Sequence, residues 1–203
     1  MSTQVDQAQR RSRLAEALWT VAERDGLAAV TVRNVAAEAG VSVGMVQHYF
    51  STKDEMLLFA LNCVGDEFAG RITAKIRAVP EPRDPYEVVW IILSERLPRH
   101  ARSRVHVQAL ITWFGSGAAN PDLARYLLDG IQRLRDYLAD QIHQAQRSGH
   151  VPDTIDPQRS VDGLLALTDG LSSHLLQGIH TPQAAMKILA EHLNHLFGRL
   201  ETT

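Results

Sequence analysis

Within residues 31–50 the apolar side chains Val35, Ala36, Val41, Val46 and Phe50 are spaced so that two short helices can turn them toward one core. That leaves Arg33, Ser42, Val43, Gln47, His48 and Tyr49 at or near the surface. The punctuation agrees. Thr31 has the hydroxyl of a good N-cap, and Val30 and Val35 stand at the staple spacing around it. Gly40 follows Ala39, and glycine enters the left-handed conformation that ends a helix without steric penalty. Ser42 then caps a second helix, with Val41 and Val46 repeating the staple. The same start signal thus occurs twice, eleven residues apart, around one glycine, which is the spacing of a helix-turn-helix.

Leu14, Leu18 and Val21 recur at helical spacing, so a helix over 14–27 is expected to cover that pair and to end at Gly26. The polar stretch 1–5 is expected to lack order, and Trp19 is read as packing. Past Phe50, Ser51 and Asp54 read as a capping box. The helix they open is expected to reach about residue 78 through Met56, Leu57, Phe59, Ala60, Val64 and Phe68. Pro80, Pro82 and Pro85 mark a loop. After it Asp84-Pro85, Asn120-Pro121, Asp156-Pro157 and Thr181-Pro182 each set a favoured N-cap before a proline suited to the first helical position. No run alternates apolar and polar residues between them, so an all-α body is predicted, with helices over 85–100, 103–114, 121–148, 157–178 and 182–200. The expected architecture is all-α: an N-terminal three-helix helix-turn-helix domain, 1–52, joined by a continuous helix to a larger helical domain, 53–203.

Composition narrows the class without naming it. The chain has 203 residues, 45% hydrophobic and 22% charged, enough for one small reading module and one larger body. A single cysteine, Cys63, excludes an internal disulfide framework, and no apolar run is long enough to cross a bilayer. A soluble cytoplasmic protein with no membrane partner is expected. The net charge is −2, and residues 1–60 set Arg10, Arg11, Arg13, Arg24, Arg33 and Lys53 against seven acidic residues. Any nucleic-acid binding must then come from locally placed cations. Catalytic signatures are absent: no G-x-S-x-G, H-E-x-x-H, phosphate-cradling glycine loop or C-x-x-C. His192 and His195 stand one turn apart, but Glu191 points elsewhere on a helix, so neither a metal nor a cofactor is expected and the chain is not read as an enzyme.

A short second helix carrying Ser42, Gln47, His48 and Tyr49 suits a major groove, where hydroxyl, amide and imidazole groups meet base edges and phosphates. The alternative is a helical hairpin that reads nothing. The run T-V-R-N-V-A-A-E-A-G-V-S-V-G-M-V-Q-H-Y-F-S-T-K-D-E-M-L resembles the DNA-binding domain of the TetR family of one-component transcriptional regulators. Thr31, Ala36, Ala39-Gly40-Val41-Ser42, Gly44, Tyr49-Phe50, Lys53 and Leu57 fall on that family's signature positions. Gln47 departs from it, because the family usually has a tyrosine there that touches the DNA backbone. The spelling His48-Tyr49-Phe50 is similar to the branch that includes the choline-responsive repressors. The DNA-facing set expected from residues and resemblance together is Thr31, Arg33, Ser42, Val43, Gly44, Gln47, His48, Tyr49 and Lys53. Arg10, Arg11 and Arg13 read either as phosphate contacts or as a solvated helix start.

The body offers two further surfaces. Tyr86, Trp90, His106, Trp113, Phe114 and Tyr126 mix aromatic and polar groups on the middle helices, as the wall of an apolar effector cavity would. Each tryptophan reads equally as core. Apolar stripes run through Val161, Leu164, Thr168, Leu171 and Leu175, then Leu189, Leu193, Leu196 and Leu200. They read as intramolecular core or as a homodimer interface, and the resemblance implies a four-helix bundle between subunits. The resulting expectation is a homodimeric repressor that binds a near-palindromic double-stranded DNA operator and leaves it when a small-molecule effector binds. In the resembling family the stretch Arg99–Arg104 lies against the DNA-reading domain, so it is the expected relay. The alternative is a helical ligand-binding or scaffold protein whose helix-turn-helix no longer reads DNA.

Overall fold

The computed structural model describes residues 2–115 and 121–199, without side-chain detail at residues 2–8, 64, 112–115, 121–124, 126 and 127. Along them run α1 (Ser2–Asp25), a 3-10 turn (Leu27–Ala29), α2 (Val32–Ala39), α3 (Val43–Tyr49), α4 (Lys53–Ala78), α5 (Pro85–Arg96), α6 (Ala101–Gly115), α7 (Pro121–Arg147), α8 (Pro157–Gln177) and α9 (Pro182–Leu196). No strand occurs among the described residues, so the all-α class stands.

The local signals act where they were read. Thr31 accepts a hydrogen bond from the Asn34 N–H, Ser42 from Met45, Asp84 from Tyr86, Asp156 from Gln158 and Arg159, and Thr181 from Ala184. Asn120 lies outside the described residues. Gly40 holds φ 67° and ends α2, while the Val41 N–H returns to the Ala36 carbonyl at 2.9 Å. Four readings need correction. Helix α1 already begins at Ser2, since no glycine or proline interrupts the chain before Gly26. The capping pair at the start of α4 is Thr52 and Glu55, one residue later than read. Thr52 accepts from the Glu55 N–H at 3.0 Å, and the longer glutamate reaches back to accept from the Ser51 N–H at 2.8 Å. Helix α5 stops at Arg96 because Leu97 precedes Pro98 and is held extended, at φ −72° and ψ 129°. Helix α9 stops at Leu196, short of residue 200, ahead of Gly198 at φ 63°.

The chain forms two compact units, one from residues 1–69 and 100–115, the other from 70–99 and 116–203. Helix α4 is continuous across the first boundary. The helix-turn-helix unit therefore takes in more chain than 1–52. Its core gathers Leu14, Leu18 and Val21 of α1, Val35 of α2, Val46 of α3, Met56 of α4 and Val105 of α6. Trp19 is buried at its centre and donates from Nε1 to the Ala60 carbonyl at 3.0 Å.

The second unit packs α5, α7, α8 and α9 around Val89, Leu93, Leu138, Ile142, Leu175 and Leu189. The last stripes contribute to this core. Val161, Leu164, Thr168, Leu171, Leu175, Leu189 and Leu193 are buried within the chain itself, Leu193 to 0% exposure, and the Thr168 hydroxyl donates to the Leu164 carbonyl at 2.7 Å. Helices α8 and α9 pack on each other, and α8 packs on α5 and α7 of the same unit. Leu196 is half-buried, and Leu200 lies outside the described residues.

Candidate nucleic-acid interface

The reversal at Gly40 sets the direction of α3, and the burial of Val46 sets its rotation. Val46 is the one buried residue of α3, while Val43, Gly44, Met45, Gln47 and His48 are exposed. Tyr49 is half-buried against the core, and the His48 ring stands edge-on to it at 5.3 Å between centroids. The Thr31 and Ser42 hydroxyl oxygens accept from backbone, and each keeps its own proton free to donate outward. The Asn34 amide donates to the Ala29 carbonyl at 2.7 Å and pins the chain entering α2. Arg33 is exposed on α2, and Lys53 is exposed as the first residue of α4.

The charge distribution explains how a near-neutral unit can still meet an anion. Arg24 pairs with Asp25 and Glu38, at 2.9 and 2.8 Å. Arg102 forks onto Glu16 at 2.8 and 2.9 Å and reaches Glu67 at 3.2 Å. The Arg102 hydrogen bond holds the Glu16 carboxyl below the usual carboxylate range, and Glu16 in turn raises Arg102. Arg11 pairs with Glu55 at 3.4 Å, with its guanidinium 5.1 Å from the Phe50 ring centroid and 4.7 Å from that of Phe59. So Arg11 is a packing cation, and neither sequence reading of it holds. Glu16, Asp25, Glu38, Glu55 and Glu67 are thereby neutralised within the unit. Arg33 and Lys53 have no acidic partner among the described residues.

Every residue expected to face DNA is therefore exposed, save Tyr49, which is half-buried. Two contributors were not read from the sequence. Met45 is 37% exposed on the same helix, next to Val43 at 40%. Its position one residue before the inward Val46 was the available signal. Arg102 ties α6 to α1 and α4 from far along the chain, with no local pattern to announce it.

A family model for the bacterial regulatory proteins of the tetR family matches residues 14–59, and one for the C-terminal part of BetI-type transcriptional repressors matches residues 85–198. The HTH-type transcriptional regulator PksA of Bacillus subtilis is 34% identical over 87% of this chain and 83% of its own length. The chain belongs to the TetR family. It is a DNA-binding transcriptional regulator of the helix-turn-helix class. The HTH-type transcriptional regulator BetI 2 of Chromohalobacter salexigens is 28% identical over 93% of the chain and 86% of its own length. A transcriptional regulator from Saccharomonospora viridis, solved in complex with choline, shares the fold with a TM-score of 0.84 at 23% identity, covering 93% of this chain and 97% of that one.

Of the residues expected to line an effector cavity in this TetR-family chain, Tyr86 and Trp90 pack against the core of the second unit and His106 belongs to the helix-turn-helix unit. The Tyr86 hydroxyl donates to Asn194 Oδ1 at 2.7 Å, its ring carries the Arg199 guanidinium at 4.2 Å, and Phe197 packs edge-on at 5.5 Å. Tyr86 thus clasps α5 to the end of α9. Its phenol is pushed up by burial. His106 sits against Trp19, 6.1 Å between ring centroids, in the helix-turn-helix unit. Trp90 is half-buried against the core of the second unit. The side chains of Trp113, Phe114 and Tyr126 lie outside the described residues. His192 faces the Ile188 carbonyl through Nδ1 at 2.9 Å, and no group of three metal-ligating side chains occurs among the described residues. Nor is any described helix long and apolar enough to cross a membrane.

Proposed function

We propose that this regulator is a repressor that binds a near-palindromic operator as a homodimer and leaves it when a small molecule binds its helical body. Residues 1–52 are the DNA-reading module and residues 53–203 the effector and dimerisation part. The observation that carries this reading is the uncharged exposed face of α3, flanked in sequence by Arg33 and Lys53, two exposed cations with no acidic partner among the described residues. Such a surface meets base edges with neutral groups and phosphates with two point charges. Lys53→Ala is expected to weaken operator binding by about 1 kcal/mol across sequences and to lower the salt slope by roughly one. A titration at several salt concentrations reads both, and a variant that binds like wild type at every salt would remove Lys53 from the interface.

Effector binding is proposed in the helical body, with Trp90 as a wall residue. An indole face can hold a cation by its quadrupole, and choline, which the Saccharomonospora viridis neighbour was solved with, is the first compound to try. Any effector must bind the DNA-free form more tightly than the bound form. The chain passes between the two units at residues 69–70, within α4, at 99–100 and at 115–116, and the first two are the covalent routes proposed for its effect. Arg99 is held to Glu95 at 3.1 Å in one unit, and Arg102 to Glu16 and Glu67 in the other. These ion pairs support the stretch Arg99–Arg104 as the relay. Trp90→Ala is expected to blunt release by effector with operator binding near wild type, in a fluorescence titration with and without compound. Loss of both together would mark Trp90 as core alone.

A further inference from the structure

Helix α3 presents a strip to solvent that the fold itself does not explain. Val43 and Gln47 are one turn apart and both exposed, and Gly44, also exposed, lies on the side of α3 away from the buried Val46. Gly44 has no positive φ, and a Cβ placed on it would meet only the Ser42 hydroxyl oxygen, at 4.0 Å. A glycine inside a helix costs stability relative to alanine, so its use at an exposed, unstrained, uncrowded position answers to something outside the protein. Val43, 40% exposed, covers nothing of its own unit's core. The sequence of α3 is V-G-M-V-Q-H-Y, with no arginine, lysine, aspartate or glutamate.

We infer that α3 reads A·T base pairs at the centre of each half-site: the Gln47 amide pairs with an adenine, Val43 packs on a thymine methyl, and Gly44 lets the backbone come close enough for both. This rests on the DNA-binding reading and names what it binds. In the major groove a primary amide matches adenine in two bonds, accepting from N6 and donating to N7, and an apolar side chain distinguishes only the thymine methyl. Guanine is forked by arginine or lysine and cytosine N4 is met by a carboxylate, and α3 carries none of these. His48 offers one N–H edge beside Tyr49, too little for a forked contact. Arg33 can reach a guanine or a phosphate, but it stands on α2.

The test is selection of binding sites from randomised duplexes by the full-length protein, followed by titration of the selected site. The expected site is an inverted repeat with A·T pairs at the positions that change preference in Gln47→Ala and Val43→Ala. Deoxyuridine for the thymidine facing Val43, and 7-deaza-adenine for the adenine facing Gln47, should each weaken wild type on the order of tenfold. Each loss should vanish in the matching alanine variant. Gly44→Leu, whose side chain enters open space in the protein, should weaken every duplex while melting stays within a few degrees of wild type. A selected site with G·C pairs at both positions, or base analogues that change nothing, would overturn the base assignment and leave the regulator intact. Failure to enrich any duplex would sink the DNA-binding reading as well.

Discussion

With Gly170→Arg the protein is expected to sediment as a monomer with unchanged helical content, and to lose operator affinity by at least about 100-fold. Gly163, Ala166 and Gly170 are exposed and recur at i, i+3 and i+7 on α8. A Cβ at either glycine would meet nothing within 4 Å, so the protomer's own packing does not ask for them. Each costs about 1 kcal/mol against alanine in a helix interior. A small-residue face on a long helix allows close approach by another helix, and the proposed homodimer would use it against the same face of a second copy across a twofold axis. An arginine there would place an unpaired charge in that contact. The stripe first read as the interface behaves differently. Leu171→Glu or Leu193→Glu puts a carboxylate in the chain's own core and should unfold the second unit. A Gly170→Arg protein that dimerises as tightly as wild type would exclude this face.

Trp19→Ala should remove about 3–5 kcal/mol of stability, enough to lower melting by roughly 10 °C and to abolish operator binding with it. Trp19 is 2% exposed in the core of its unit, and its deletion removes a large buried side chain and the hydrogen bond from the indole to the Ala60 carbonyl of α4. The recognition helix is fixed on this core by Val46, by the half-buried Tyr49 and by Phe50 at its C-cap, while Val43, Gly44, Met45, Gln47 and His48 are turned outward. Loosening the core therefore costs α3 its position before it costs the chain its helices. Thermal melting followed by circular dichroism, alongside an operator titration, tests both parts. Normal melting in Trp19→Ala would mean the indole is not the centre of this core.

What the sequence displayed depended on range. Caps and staples are made between residues three to five apart, so Thr31, Ser42, Asp84, Asp156 and Thr181 could be placed from spacing alone. Even there, two adjacent hydroxyl residues misled the reading by one step at Ser51 and Thr52. Periodicity located the apolar faces of α8 and α9 without saying what covers them, because a face buried against its own chain and one buried against a copy share a pattern. Arg11 and Arg102 failed for a third reason. Each is a surface-type residue whose partners, Phe59 and Glu55 or Glu16 and Glu67, lie 35 to 86 residues away. No local pattern encodes such a pairing, and the two arginines pair with Glu55 and Glu16, two of the seven acidic residues that offset the cations of residues 1–60.

The central claim is that the exposed face of α3, with Arg33 and Lys53, reads a twofold operator. Footprinting the purified protein on the DNA flanking its own gene tests it most directly. The expected result is protection of two inverted half-sites, with centres a whole number of DNA turns apart, about 10 base pairs each. Protection should be lost in the Arg33→Ala, Lys53→Ala double variant, whose two side chains are exposed and whose melting should match wild type. Uniform, salt-labile protection with no inverted repeat, or a double variant that protects as wild type does, would contradict it.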